Sequence, residues 1–132
     1  MDKLIIAPTL NSPGVTLDPE NDRFEFTGES RPEDVRDFYM PVLEWLESYG
    51  KELSGSANRG KELEFHFNFE YFNSTSAKYI LDIFKILNEI DSKGNPVLVT
   101  WHYEEDDEDM LEVGMEMSRM SRLKFEYIKI EV

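Results

Sequence analysis

From Glu62 to Tyr71 the chain alternates without exception: Leu63, Phe65, Phe67, Phe69 and Tyr71 fall between Glu62, Glu64, His66, Asn68 and Glu70. Only a strand puts every second side chain on one face, so the segment predicts a β-strand with one apolar and one polar surface. Such a strand belongs to a sheet covered by helices on a single side. The period then changes. Ala77, Ile80, Leu81, Phe84, Leu87 and Ile90 make an apolar stripe at helical spacing, starting from about Thr75. Gly94 stands where a helix C-terminal cap belongs, and Pro96 opens a second strand over residues 97–103. Strand, helix and strand in that order predict a parallel pair joined by a right-handed crossover.

Upstream, residues 4–10 read as a short strand or an extended arm. Val15 and Leu17, the turn residues Pro19-Glu20-Asn21-Asp22, and Phe24 and Phe26 predict a β-hairpin. Ser30 followed by Glu33 matches a capping box, and Val35, Phe38, Tyr39, Val42, Leu43, Leu46 and Tyr49 follow at helical spacing. Pro41 inside that helix predicts a kink or a split, Gly50 its end, and residues 54–60 a polar loop. Downstream, Met110, Leu111, Gly114, Met117 and Met120 continue a third helix, and residues 125–132 close the chain as a strand. Trp45, Trp101 and most methionines read as core. The outline is α/β, in the order ββαβαβαβ with room for one more N-terminal strand: a mixed β-sheet with helices mainly on one face. A length of 132 residues suits one domain, 1–132.

Composition narrows the function. The formal net charge is −14, which repels nucleic-acid phosphates and anionic lipid headgroups, so neither nucleic acid nor membrane is an expected partner. A basic protein patch or a cation suits such a surface better. There are no cysteines, which excludes disulfides, thiolate catalysis and zinc–thiolate sites. No signal peptide or long apolar run is evident, so a cytoplasmic location is expected.

Three constellations remain. Tyr71-Phe72-Asn73-Ser74-Thr75-Ser76 joins the strongest strand to the strongest helix, at the strand end where α/β sheets usually place function. One polar residue must cap the helix. Four in succession exceed that need and leave hydroxyls for phosphorylation, where a phosphate would gain about 1 kcal/mol from the helix dipole. The run Glu104-Glu105-Asp106-Asp107-Glu108-Asp109 suits a solvated helix start, a dock for a basic partner or a divalent metal, although it lacks the spacing and glycine of a calcium loop. His66 and His102, the only histidines, lie on the polar faces of two strands, with no nucleophile or fixed carboxylate in relation to them. No Walker loop, GxGxxG or GxSxG is present. A non-enzymatic binding module without cofactor or metal is therefore expected. The alternatives are a metal-dependent phosphotransfer enzyme using residues 104–109 and a constitutive scaffold whose corner only caps a helix.

The corner Tyr71-Phe72-Asn73-Ser74-Thr75-Ser76, the segment Leu81-Asp82-Ile83-Phe84, the strand end Val99-Thr100-Trp101-His102-Tyr103-Glu104 and the stretch Asp107-Glu108-Asp109-Met110 together resemble the SiaC family of regulatory phosphoproteins. The resemblance implies a fold similar to the STAS domains of anti-sigma-factor antagonists, and a partner switch. It implies a Ser/Thr protein kinase that phosphorylates the corner and a PP2C-type phosphatase that reverses this. It also implies an unmodified form that binds and activates a diguanylate cyclase, so that cyclic-di-GMP output and biofilm behaviour follow the phosphorylation state. The family's acceptor directly follows the asparagine, which points to Ser74, with the adjacent Thr75 as second choice; Ser76 is expected to be a structural cap. STAS antagonists usually carry aspartate before the acceptor, where this chain has Asn73. Partner contact is expected through Asn73, Ser74, Thr75, Ser76 and Lys78.

Overall fold

Three antiparallel strands open the computed structural model, which describes Met1–Val132: β1 (Leu4–Ile6), β2 (Gly14–Asp18) and β3 (Arg23–Ser30). Three helix–strand units follow: α1 (Val35–Ser54) and β4 (Leu63–Phe72), α2 (Ser74–Ser92) and β5 (Val97–Glu104), α3 (Glu108–Ser121) and β6 (Lys124–Ile130). The six strands lie in the sheet in sequence order, with β3 to β6 mutually parallel. Each crossover moves to the next strand in the same direction. Right-handed connections that all step one way leave all three helices on one face, so the sheet's other face stays bare. Alternation thus predicts the architecture, and the segment 4–10 contributes a real strand at the hairpin's edge.

The covered face is the core. Phe24 stacks on Phe65 with ring centroids 4.5 Å apart, and Phe26 stacks on Phe67 at 4.7 Å with planes 2° apart. Phe84 of α2 packs on Phe67 at 4.7 Å. All five rings are essentially inaccessible to water, and burial of each contributes about 1.5–3 kcal/mol. Of the two tryptophans, Trp101 is in this core, whereas Trp45 is half-buried at its margin and donates its indole N–H to the Asp2 carbonyl. Met110 and Met117 are buried, while Met115 and Met120 are exposed.

Helix boundaries depart from the sequence signals for local reasons. The capping box at Ser30 is not used. Ser30 ends β3, and Asp34 caps α1 by accepting from the Asp37 amide at 3.0 Å. Pro32 disfavours helical geometry at Arg31, so the helix starts later. Pro41 neither splits nor ends α1; it is exposed, and the carbonyl it deprives of a donor belongs to exposed Asp37, where water can serve. Gly50 does not stop the helix, because Leu53 continues the buried stripe to the cap at Gly55. Its role is a close crossing: a Cβ at Gly50 would lie 3.1 Å from Ile90 of α2.

Gly114 has the same role more severely. The Trp101 indole lies against α3 and donates its N–H to the Met110 carbonyl at 3.0 Å. A Cβ at Gly114 would approach the indole to 2.5 Å. Because Trp101 is walled in by Phe67, Phe84 and Phe125, it has no room to retreat. Gly114→Ala is expected to destabilise the protein by about 1–3 kcal/mol, read as a lower urea midpoint with unchanged slope.

Candidate functional site

The corner between β4 and α2 begins with a break in the alternation. Along β3 and β4 the register runs Gly28 to Phe69 and then Glu29 to Tyr71, which leaves Glu70 unmatched. This bulge, beside Gly28 at φ +93°, exchanges the two faces of β4. Phe72 now turns inward, with ring centroids 5.6 Å from Phe69 and 6.2 Å from Trp101. Tyr71, which simple alternation assigns to the apolar face, turns outward and is 49% exposed.

Asn73 then caps α2. Its backbone is extended, and its Oδ1 accepts from the Ser76 amide at 2.9 Å and from the Thr75 hydroxyl at 3.0 Å. The helix therefore starts one residue earlier than the stripe suggests, at Ser74. Ser76 is not the cap. Its side chain is completely buried, so it cannot meet a partner either, and its hydroxyl has another use.

Beneath the corner three buried hydroxyls form a directed chain. Ser76 Oγ donates to the Ser30 carbonyl at 2.9 Å, and Ser30 Oγ donates to Ser76 Oγ at 2.9 Å. With the Ser30 proton so engaged, the Tyr39 hydroxyl must be the donor to Ser30 Oγ, at 2.5 Å. Burial pushes the Tyr39 phenol up to about 12, which keeps it protonated and able to donate. The Ser30 carbonyl also accepts the Asn73 amide at 3.1 Å. Strand β3, helix α1 and the first turn of α2 are thus tied at one residue. Sequence reasoning missed both Ser30 and Tyr39. The available signal was phase: Phe24, Phe26, Gly28 and Ser30 share one parity, which places Ser30 on the core face.

The remaining corner residues differ in freedom. Ser74 and Thr75 are exposed. The Thr75 hydroxyl is held by Asn73, whereas the Ser74 hydroxyl makes no hydrogen bond to the protein. Lys78, exposed one turn further on, lies 5.4 Å above the Tyr79 ring. Helices α1 and α3 carry carboxylates in their first turns, but α2 carries none. Its positive end is therefore uncompensated and favours an added anion.

The other two constellations do not assemble a site. In the acidic run, Asp107 caps α3 by accepting from the Met110 amide at 3.0 Å, while Glu105 and Asp106 form an exposed turn. No three His, Asp or Glu side chains converge to hold a metal ion. His66 and His102 do approach each other on the bare face, with ring centroids 6.0 Å apart, and His66 Nδ1 lies 2.6 Å from the Thr100 hydroxyl. Partial burial, and secondarily the neighbouring His66, hold the His102 imidazole below its ordinary value.

Covered on one face only, with a hydroxyl corner held over a buried clamp, the molecule has the architecture of a binding module with one free hydroxyl turned to solvent. Comparison with known proteins makes the assignment specific. A family model described as SiaC family regulatory phosphoprotein matches residues 6–130, and the chain belongs to that family. An uncharacterised protein of Pseudomonas aeruginosa strain UCBPP-PA14 is 29% identical over 116 residues, covering 88% of this chain and 87% of its own. The crystal structure of apo-SiaC from Pseudomonas aeruginosa superposes with a TM-score of 0.83 at 26% identity, covering 97% of this chain and 99% of that one. SiaC in its complex with the diguanylate cyclase SiaD, which it activates, superposes at 0.84 with 27% identity, covering 96% of this chain and 99% of that one.

Two outcomes follow from the geometry. Ser76→Ala leaves the Ser30 hydroxyl buried without an acceptor and is expected to cost about 1–3 kcal/mol in urea denaturation. A His102 value below that of the unfolded chain means the folded state binds its proton less readily. Its contribution is therefore present above about pH 6.5 and declines as the pH falls through the lowered folded value. The urea midpoint of the wild-type protein should fall more between pH 7 and pH 5 than that of His102→Asn.

Proposed function

We propose that this protein is a phosphorylation-controlled partner switch: its unmodified form binds and activates a diguanylate cyclase, and phosphorylation of Ser74 releases that partner. The observation that carries the proposal is the Ser74 hydroxyl, exposed and unbonded at the first position of a helix with no carboxylate in its first turn. Membership of a family of regulatory phosphoproteins and likeness to a SiaC found in complex with a diguanylate cyclase support it. A Ser/Thr protein kinase would add the phosphate and a PP2C-type phosphatase would remove it, in the cytoplasm, with cyclic-di-GMP level and biofilm behaviour as the output. No helix is long and apolar enough to cross a membrane. The likeness to STAS antagonists belongs to the same proposal.

The energetics favour such a switch. Phosphate brings about 1.5 to 2 negative charges. On Ser74 it meets the free amides of the first turn and, four residues on, the exposed Lys78, both favourable neighbours. The modified protein is therefore not itself destabilised. A partner packed against the corner, by contrast, meets a bulky dianion that it must desolvate or expel. Thr75 is the less available acceptor because its hydroxyl serves the Asn73 cap, and Ser76 is out of reach. Asn73 and Lys78 frame the contact, with Ser74 and Thr75 at its centre.

Incubation with the cognate kinase and ATP, followed by peptide mass spectrometry, should place the phosphate on Ser74. Ser74→Ala should abolish it, and the phosphorylated protein should bind the cyclase at least about tenfold more weakly than the unmodified one. Phosphate on Thr75 with Ser74 unmodified would overturn the assignment of the acceptor. Equal affinity of both forms would favour a constitutive scaffold.

A further inference from the structure

Two exposed apolar side chains flank the corner without serving the fold. Tyr71 is turned outward by the Glu70 bulge. Leu10 is 91% exposed at the tip of a turn. A single exposed leucine on a loose loop would be unremarked. This one sits in a hydrogen-bonded turn. Thr9 Oγ1 donates to Asn11 Oδ1 at 3.0 Å and accepts from the Ser12 hydroxyl at 2.6 Å and the Ser12 amide at 3.0 Å. The Thr9 amide reaches the Ser12 carbonyl at 3.0 Å, which closes the turn.

The turn is also pinned to the corner. The Arg31 amide donates to the Asn11 carbonyl at 2.9 Å, and the carbonyl of the same peptide unit, that of Ser30, accepts from Asn73. The N–H and C=O of one peptide point opposite ways, so the turn and the corner flank the end of β3 on either side. Two strand spacings separate them, roughly 10 Å. Tyr71 lies beside Glu29, one residue before that peptide. Leu10, Tyr71 and Ser74 therefore lie on segments that share one end of the sheet, where β3 and β4 finish. Among the charged residues at that end, Glu29, Glu33 and Glu70 are acidic, Arg31 is paired with Glu29 at 2.8 Å, and Lys78 adds one exposed cation.

We propose that Leu10 and Tyr71 are the two apolar anchors of the docking surface, and that the cyclase offers apolar sockets rimmed by arginine or lysine. This rests on the function proposed above and adds the residues that hold the partner. Phosphate on Ser74 would then enter that surface beside both anchors, where the partner would have to seat an extra dianion.

A photo-crosslinking residue placed at position 10, 71, 78 or, as a remote control, 57, in the full chain within cells of its source organism, tests the proposal. Positions 10, 71 and 78 should each give an adduct with the same diguanylate cyclase, and position 57 none. Adducts at 78 alone would overturn the two anchors and leave the corner's function standing. No cyclase adduct at any position would overturn both. With the crosslinked cyclase in hand, Leu10→Ser and Tyr71→Ser should each weaken binding by about tenfold or more, with the urea midpoint unchanged for Leu10→Ser and both variants folded at the temperature of the binding assay. Affinities within about twofold of wild type for both variants would also overturn the anchors.

Discussion

The hydrogen bonds converging on Ser30 hold the functional end of the molecule together. Its carbonyl accepts from Asn73 and Ser76, and its hydroxyl bridges Tyr39 and Ser76. A buried polar group without partners costs about 1–3 kcal/mol, so a chain of three hydroxyls is stable only when every member is satisfied. Here each is, and no buried side-chain polar atom in the protein lacks a partner. That completeness fixes where the first turn of α2 sits over the sheet. It also sorts the corner's hydroxyls: one is buried as structure, one is held by the cap, and one is left to solvent.

The bulge at Glu70 works with this clamp. Without the extra residue, Tyr71 would enter the core and Phe72 would face water, so the chain would reach Asn73 from the wrong side. With it, Phe72 seals the sheet against Trp101, and an aromatic side chain lies outward beside the free hydroxyl. Bulges commonly occur where a strand must re-aim a side chain near a functional site. The helix that follows offers an uncompensated positive end. Under the proposed switch, stable modification and disrupted association are compatible, because the favourable neighbours of a phosphate belong to the protein while the cost falls on whatever packs against it.

The parts of the fold legible in sequence were those with a sustained period. The ten residues of β4, the stripe of α2 and the β2–β3 hairpin each announce themselves within a window shorter than the element. The location of the corner follows from where the period changes. What was not legible depends on partners distant in sequence. Ser30 meets Ser76 across 46 positions, and the capping-box pattern around it was a local signal that tertiary bonding overrode. Gly50 and Gly114 look like helix breakers because nothing near them in sequence shows the ring or helix pressing on them. Glu70 carries no mark of a bulge, since the alternation runs through it unbroken.

The strand order has a consequence of its own. Because neighbours in the sheet are also neighbours in the chain, no strand has to be inserted between two already placed. Each αβ unit can dock on the growing edge as soon as it exists, beginning from the N-terminal hairpin, and every closure spans one helix and no more. The entropy lost at each step is that of a loop a few tens of residues long, which rises only slowly with length. Such a sheet suits a chain that emerges from the ribosome one end first, because growth takes place at a single edge while the other, β1, stays where the hairpin set it.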